Sequence, residues 1–418
     1  MADEGCNQTA SGACSHAEGN STTASGFASH AEGYETTASA SAAHAEGYQT
    51  IAFLDTAHAE GNGTLATAPA AHAEGYKTYA ISDAAHAEGG LTVASAPQSH
   101  AEGAQTTASG VASHAEGNQS TASGEYSHAE GFLTVAAGPA AHAEGFNTQA
   151  NGLSSHAEGA LTEANGTFSH AEGFSSVAGA QNSHAEGNST VVHEEHPNSH
   201  IMGSNGETVF PDSWHLANGN EDTLGLAAVL QGSSGNLFLQ GTVMPLGADY
   251  AEMFETVDGL PIEPGYFVTT EGEQVRKATP ADQYILGVVS ANPSVLGDSS
   301  PLNWTGKYEK DEWGRVKYED REVKAVIDSE GKVLAPAYTK SSAVVNPEYV
   351  PSQTYVPRID RPEWVAVGTM GKLLVRDDGT CQVNGYCMPG ENGVATASVE
   401  GYRVLARTAP DQIKIYVK

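Results

Sequence analysis

His30-Ala31-Glu32-Gly33 opens a 14-residue unit in which Thr36 follows the histidine by six positions and Ala38 by eight. The run His-Ala-Glu-Gly returns thirteen times without a slip, from His16 to His184. A period this strict means a repeat architecture, and the architecture decides what any single residue can do. Each unit reads as two short strands, Ser/Ala-His-Ala-Glu-Gly and Thr-x-Ala-x-x, joined by turns rich in Gly, Asn, Ser and Pro. Side chains of a strand alternate between faces. His and Glu therefore share one face, while the preceding Ser or Ala, the central Ala and the Gly share the other. In the second strand Thr and Ala take one face, and variable residues such as Thr23, Ile51, Tyr79 and Gln149 take the other, read as solvent-facing.

If the small faces of the two strands look at each other, the chain forms a thin β-solenoid filled with Ala, Ser, Thr and Gly. At about 0.8 kcal/mol per buried CH₂ such an interior stabilises each turn weakly, so a lone coil is marginal. The invariant face is then a solvated stripe or the seam where several chains meet, and its constancy over thirteen turns argues for the seam. The seam residues are His16, His30, His44, His58, His72, His86, His100, His114, His128, His142, His156, His170 and His184, with Glu18, Glu32, Glu46, Glu60, Glu74, Glu88, Glu102, Glu116, Glu130, Glu144, Glu158, Glu172 and Glu186. Unpaired buried charge is costly, so the seam is read as a ladder in which imidazole N–H groups donate to Glu carboxylates of neighbouring chains. The alternative is metal or anion binding along the axis, because three imidazoles at one level form a ligand set. No metal and no cofactor is assigned.

The 418 residues suffice for two or three domains, and large apolar side chains become common only after about residue 200. Residues 1–200 hold 22 acidic side chains and one basic, Lys77, a net −21 that leaves −11 of the chain's −32 for the remainder. So acidic a surface repels nucleic acid and anionic membranes, and neither is expected as a partner. Cys6, Cys14, Cys381 and Cys387 are too few for a disulfide scaffold and lack zinc-type spacing, so free thiols are expected. Met1 to Gly19 has neither the basic start nor the apolar run of a signal peptide, and no stretch approaches the roughly 20 apolar residues of a membrane helix. Ala2-Asp3-Glu4-Gly5 falls in phase with the repeat. The chain is therefore read as a fragment of a longer fibre, or as a rod whose base is another protein.

The repeats resemble the head repeats of trimeric autotransporter adhesins, left-handed parallel β-rolls of about this period that carry Ser-Val-Ala-Ile-Gly in place of Ser-His-Ala-Glu-Gly. The resemblance covers roughly residues 1–200 and implies a homotrimer with the Val and Ile positions turned to the three-fold axis. Here those positions are His and Glu, which makes an apolar seam polar. At about 4.8 Å per turn, thirteen turns give a rod on the order of 60 Å long. The chain lacks a membrane-anchoring β-barrel, which speaks against a complete autotransporter.

The period breaks after Val192 at His193-Glu194-Glu195-His196-Pro197, and Ser199-His200-Ile201-Met202-Gly203 echoes it with an apolar plug. The cluster of His193, His196 and His200 beside Glu194 and Glu195 is read as a solvated cap, with metal binding the alternative. Residues 193–247 form a β-rich neck. From 248 onward the composition is that of a globular β-rich domain, with candidate strands at 266–270, 284–290, 322–327, 364–370, 372–376, 402–407 and 412–417, and turns such as Glu330-Gly331. Lys307 to Glu322 reads as an exposed arm. Trp304, Trp313, Trp364 and the tract Tyr338 to Tyr355 read as packing and chain-to-chain contacts rather than sugar platforms.

This domain resembles the autoprocessing intramolecular chaperone domains that end phage neck appendage and tail fibre proteins. The motifs are Gly247 to Glu255 (GADYAEMFE), Ile285 to Pro293 (ILGVVSANP), Arg361-Pro362-Glu363-Trp364, Asp377 to Cys387 (DDGTCQVNGYC) and Gly401-Tyr402-Arg403-Val404-Leu405. The resemblance implies a domain that trimerises, guides folding of the fibre ahead of it and then cuts itself off. It places the scissile bond between Ala248 and Asp249, with Asp249 and Glu252 as the acidic pair. Two carboxylates can divide the work of amide cleavage, one activating water and one protonating the leaving nitrogen, if their environments separate their pKa values. Alternatively Asp249 assists through local strain. Where some members place a Ser before the cut, Ala248 supplies no hydroxyl nucleophile.

The expectation is an all-β homotrimer: a left-handed parallel β-roll of 14-residue turns at 1–192, a neck at 193–247 and a β-rich chaperone and autoprocessing domain at 248–418. It serves as a structural fibre of a phage or phage-like particle, with itself, an attachment protein at the base and a host surface glycan or protein as candidate partners. The rivals are a surface adhesin with a retained trimerisation cap and a polysaccharide-degrading tailspike. The second finds no groove of paired carboxylates outside the seam.

Overall fold

The computed structural model describes residues 6–300, 302, 306–327, 331, 333–352 and 354–418. Ala2 to Gly5, Trp304 and Glu330 lie outside them. Among the described residues every regular element is a strand except two three-residue 3-10 turns, Arg358–Asp360 and Glu391–Gly393. The chain divides into two compact units, Met1–Gly241 with Asp320–Ser341, and Thr242–Glu319 with Ser342–Lys418. The division falls near the expected start of the last domain, but Asp320–Ser341 groups with the first unit.

The first unit is a parallel β-solenoid. Each His-Ala-Glu-Gly strand pairs in register with the next, His58 with His72, Ala59 with Ala73 and Glu60 with Glu74. The Thr-x-Ala strands do the same, Leu65 with Tyr79 and Ala66 with Ala80. Strict repetition makes this register the only one that keeps like over like. The interior is the expected one: Ala31, Thr36 and Ala38 are fully buried and Ser29 nearly so, and the same positions are buried on later turns.

The repeat glycine does not join that inward face. It is exposed and has a positive φ, +112° at Gly47 and +108° at Gly75. A Cβ on Gly75 would lie 2.2 Å from the carbonyl oxygen of Gly89, so this column is glycine because backbone stacks on backbone there. Two further corners of most turns adopt the left-handed conformation without glycine, for example Glu35 (φ 56°) and Ala42 (φ 54°), and even Leu133 and Phe168 do so. These corners carry no residue signature, which is why the sequence hides them.

The parallel coil also runs past the break at Val192. The spacing from His184 to His200 is two residues longer, yet His200–Glu207 stacks in register on His184–Val192, and Ser213–Asn218 stacks on His200–Glu207. Ile201 and then His215 enter the buried Ala column, while Trp214 follows the histidines. The Leu226–Gln231 strand then turns antiparallel and ends the coil.

The second unit is built on one mixed sheet. Its strands run in the order Gln274–Lys277, Phe267–Glu271, Gly287–Val289, Trp364–Arg376, Gln412–Val417, Tyr402–Ala409, Tyr386–Pro389 and Ala395–Ser398. Asp249–Glu255 pairs antiparallel with the first half of the long Trp364–Arg376 strand, which was read as two strands, and parallel with Val295–Gly297. Phe267, Val288, Val375, Val404, Ile413 and Ile415 are fully buried in one cluster, and Val268, Val275 and Val367 in a second. Here a core of large side chains holds the sheet.

Candidate functional site

Asp249 opens its strand opposite Gly371 and is 5% exposed. Burial pushes its carboxyl pKa up, and a hydrogen bond with the Ser290 side chain offsets this only in part. Its Oδ2 has no accessible surface and no hydrogen-bond partner among the described residues. The peptide bonds on either side of Asp249 are fixed. The Ala248 carbonyl accepts from the Lys372 N–H at 3.3 Å, and the Asp249 carbonyl accepts from the Ser294 N–H at 2.8 Å and the Ser294 hydroxyl at 2.6 Å. Gly371 (φ +114°) runs so close that a Cβ there would lie 2.3 Å from the Ala248 oxygen. A pocket of about 420 Å³ lined by Ala248, Asp249, Ser290, Lys372 and Lys414, among others, lies beside the Ala248–Asp249 peptide.

Glu252 is not brought to Asp249. Three positions apart on one strand place them on opposite faces, with Asp249, Ala251 and Met253 buried and Tyr250 and Glu252 outward. The register irregularity between Tyr250 and Ala251 skips Thr369 on the partner strand and leaves this parity intact. Glu252 Oε1 accepts from the Tyr250 hydroxyl at 2.9 Å and lines a different pocket, with Glu271 and Arg358. Within one chain the expected acidic pair is two separate carboxylates, one buried and one outward. Ser290, Ser294, Gly371 and Lys372 were missed as site residues. Ser290 lies inside the quoted motif ILGVVSANP, and nothing in the local sequence marks the others.

In the solenoid the histidines form a continuous stack, with successive ring centroids from His30 to His200 4.5–4.9 Å apart. The edge of Trp214 closes it at 4.9 Å from His200. Glutamates flank the stack within the same chain. Near the start each Nε2 faces the Glu of its own turn, as in His44 to Glu46 at 3.5 Å. Further along it faces the Glu of the preceding turn, as in His128 to Glu116 at 3.1 Å and His184 to Glu172 at 3.2 Å. Burial first, and the neighbouring imidazoles second, push the His86 and His156 pKa values down. Glu144 is pushed up to about 7, first by its hydrogen-bonding neighbour Glu130 and then by burial.

The cluster after Val192 disperses: His193 faces Glu207 at 3.1 Å, His196 bonds Thr208 at 2.7 Å and His200 joins the stack. Cys381 and Cys387 are buried free thiols, with Cys387 pushed up to about 12 by burial. Trp364 packs under the Arg358 guanidinium at 3.9 Å, whereas Trp313 is exposed.

Residues 189–413 match the family described as Peptidase_G2, IMC autoproteolytic cleavage domain. The chain belongs to this family. Among curated relatives, the pre-neck appendage protein of Bacillus phage B103 is 34% identical over 203 residues, 47% of this chain and 22% of that protein. The pre-neck appendage protein of Bacillus phage phi29 is 38% identical over 151 residues, 36% of this chain and 16% of that one. The putative phage-related protein YobO of Bacillus subtilis is 29% identical over 214 residues, 49% of this chain and 25% of that protein. The chain thus spans a quarter or less of the length of these relatives. Among solved structures, the pre-mature phi29 gene product 12 aligns over 96% of this chain and 50% of its own, at 18% identity and a TM-score of 0.48. The C-terminal fragment of that product aligns over 41% of this chain and all of its own, at 31% identity and a TM-score of 0.34.

Proposed function

We propose that this chain is part of a trimeric phage appendage fibre, virion-associated, whose Peptidase_G2 domain nucleates assembly and then cleaves the Ala248–Asp249 bond. The reading draws on the match to the autoproteolytic family, on the phage appendage relatives and on the resemblance of the repeats to trimeric autotransporter heads. The observation that carries the cleavage is the buried Asp249 carboxyl with its orphaned Oδ2, beside a peptide whose carbonyls are already held by N–H donors. With its carboxyl pushed up by burial, Asp249 is placed to supply the proton that its own amide nitrogen needs as leaving group. Water adds to the Ala248 carbonyl carbon, polarised by the Lys372 N–H, and the C–N bond then breaks to a carboxylate and an amine. The proton lost by the water goes to a base, and Glu252, outward in its own chain, takes this role from a neighbouring copy.

The folding logic agrees. A solenoid shared among chains must be brought into register before any turn is stable, and a trimerising domain raises the effective concentration of the strands. The base of the fibre is held by a virion protein, and the host surface is its target. Mass spectrometry of freshly expressed protein should find a fragment beginning at Asp249, absent in both Asp249→Asn and Glu252→Ala. Co-expressing the two variants should restore the fragment if Glu252 acts across chains. Full-length wild-type protein under folding conditions would refute cleavage and leave the adhesin with a retained cap.

A further inference from the structure

The histidine–glutamate column has donor chemistry that neither a fibre nor a self-cutting domain requires. We propose that it binds borderline divalent cations such as Zn²⁺, Co²⁺ or Ni²⁺, each held by imidazoles of two successive turns and the carboxylate beside them. Groups such as His100-Glu102-His114, His156-Glu158-His170 and His184-Glu186-His200 each bring their three ligand atoms within 4.8 Å of one another. Where imidazole and carboxylate pair along the column, their N···O separations run from 3.1 Å at His128 to 3.7 Å at His100. Ligands about 2.0–2.1 Å from a tetrahedral ion lie roughly 3.3 Å apart, so these imidazole–carboxylate pairs already have the spacing of a coordination edge. The two imidazoles of a group are further apart, and both rings must tilt towards the ion about the broad ring torsion of histidine. The fourth position stays open for water.

Two further observations point to a ligand. The Nε2 atoms of His44, His58, His72, His86, His100, His142, His156 and His200 have no accessible surface and no hydrogen-bond partner among the described residues. A row of aligned, unsatisfied nitrogen donors is costly unless something accepts their lone pairs or protons. The carboxylates also face imidazoles rather than Lys or Arg. The one basic side chain in residues 1–200 is Lys77, and its ammonium lies 5.2 Å from the Tyr76 ring centroid. Imidazole with carboxylate selects Zn²⁺ and its neighbours over Mg²⁺ or Ca²⁺, which prefer all-oxygen sites. Because each Nε2 serves one ion, groups that share a histidine, such as those meeting at His114 or His170, cannot both be filled. Ions therefore occupy alternate gaps. The site is complete within one chain and does not rest on trimerisation.

The full chain, chelator-treated and desalted, is titrated with ZnCl₂ by calorimetry at pH 7.5, with MgCl₂ in parallel and CoCl₂ absorption as the probe of ligand type. The expected result is several zinc ions per chain, at least tenfold tighter than magnesium, with nitrogen-ligated tetrahedral cobalt bands. Glu158→Gln, isosteric and chosen to preserve the fold, should lower the zinc stoichiometry, and so should His170→Asn, with circular dichroism confirming folded rods. Absence of zinc binding by folded protein overturns the proposal. So does magnesium uptake equal to zinc, which marks a diffuse acidic surface, and so does a stoichiometry unchanged in both variants.

Discussion

The solenoid and the sheet domain are both all-β, yet they reach stability from opposite ends. In the repeats of the solenoid the buried side chains are Ala, Thr and Ser, each contributing little, with larger ones only from Val192 on, and order comes from identical residues stacked in register. In the domain a few large side chains, Phe267, Ile413 and Ile415 among them, fill two clusters under a sheet of mixed connectivity. Charge differs in the same way. The domain pairs two of its buried or half-buried acids with arginine, Asp377 with Arg407 at 2.5 Å and Asp282 with Arg276 at 2.8 Å, and leaves Asp249 apart from them. The solenoid sets its glutamates against imidazoles. Repetition can replace side-chain volume as a source of order, but then backbone fit becomes the critical variable.

The largest effect should therefore come from the smallest residue. Gly75→Val in the solenoid places Cβ against the Gly89 carbonyl at a φ of +108°, and neither backbone can move without shifting the neighbouring turns. A loss on the order of 5 kcal/mol is expected, seen as failure of the solenoid to fold while the domain keeps its own unfolding transition. A soluble, fully folded solenoid would show that the stacked register is not what holds it. In the domain the sensitive positions are the large ones. Ile415→Ala should cost about 2–5 kcal/mol in denaturant unfolding, whereas Ala122→Gly in the solenoid should cost only about 1–2. Equal losses would erase the contrast.

That contrast also explains what was legible in the sequence. The period, the inward Ala and Thr, and the shared face of His and Glu follow from alternation alone and are all present. The repeat glycine was misassigned because alternation assumes an extended backbone, and Gly47 departs from it with a φ of +112°. The coil beyond Val192 was hidden because two inserted residues shift the count while leaving the stacking intact. In the domain, where no period exists, the strands were read only roughly, and Asp249 was found through resemblance. Its burial depends on the Trp364–Arg376 strand more than a hundred residues away and its Ser290 contact on a segment about forty residues away, which no local pattern encodes, whereas its separation from Glu252 follows from alternation along one strand.

A smaller effect separates threonines that look identical in the repeat. Thr50 is fully buried with its hydroxyl unpartnered, whereas the Thr106 hydroxyl donates to the Glu102 carbonyl at 3.0 Å. Thr50→Val removes an unsatisfied polar atom at nearly constant shape and should stabilise the solenoid by about 1 kcal/mol. Thr106→Val breaks a hydrogen bond and should destabilise it by a similar amount. Thermal unfolding of the two variants with the same sign would mean that bound water satisfies both hydroxyls alike.

The smallest effect is the most diagnostic, because the two units should respond to pH with opposite signs. His86, His156 and His200 are held below the ordinary histidine range, first by burial. Their unfolded forms bind more protons, so this contribution to stability is present above the unfolded value near 6.5 and is lost as pH falls through it. Glu144, raised to about 7, works the other way and regains stability as it takes up its proton, but it opposes these three histidines and two more held low, His196 and His215. In the domain no histidine exists after His215, and Asp249 is raised above its ordinary value by burial. Its folded form binds the extra proton, so its contribution grows as pH falls towards the ordinary aspartate range. Between pH 7.5 and 5.5, metal-free protein should show amide exchange in the solenoid speeding up relative to the pH-corrected intrinsic rate, while protection in the Asp249–Glu255 strand holds or rises. Asp249→Asn should flatten the second trend and leave the first untouched. Parallel loss of protection in both units would mean that acid acts through net charge on the whole chain rather than through these buried groups.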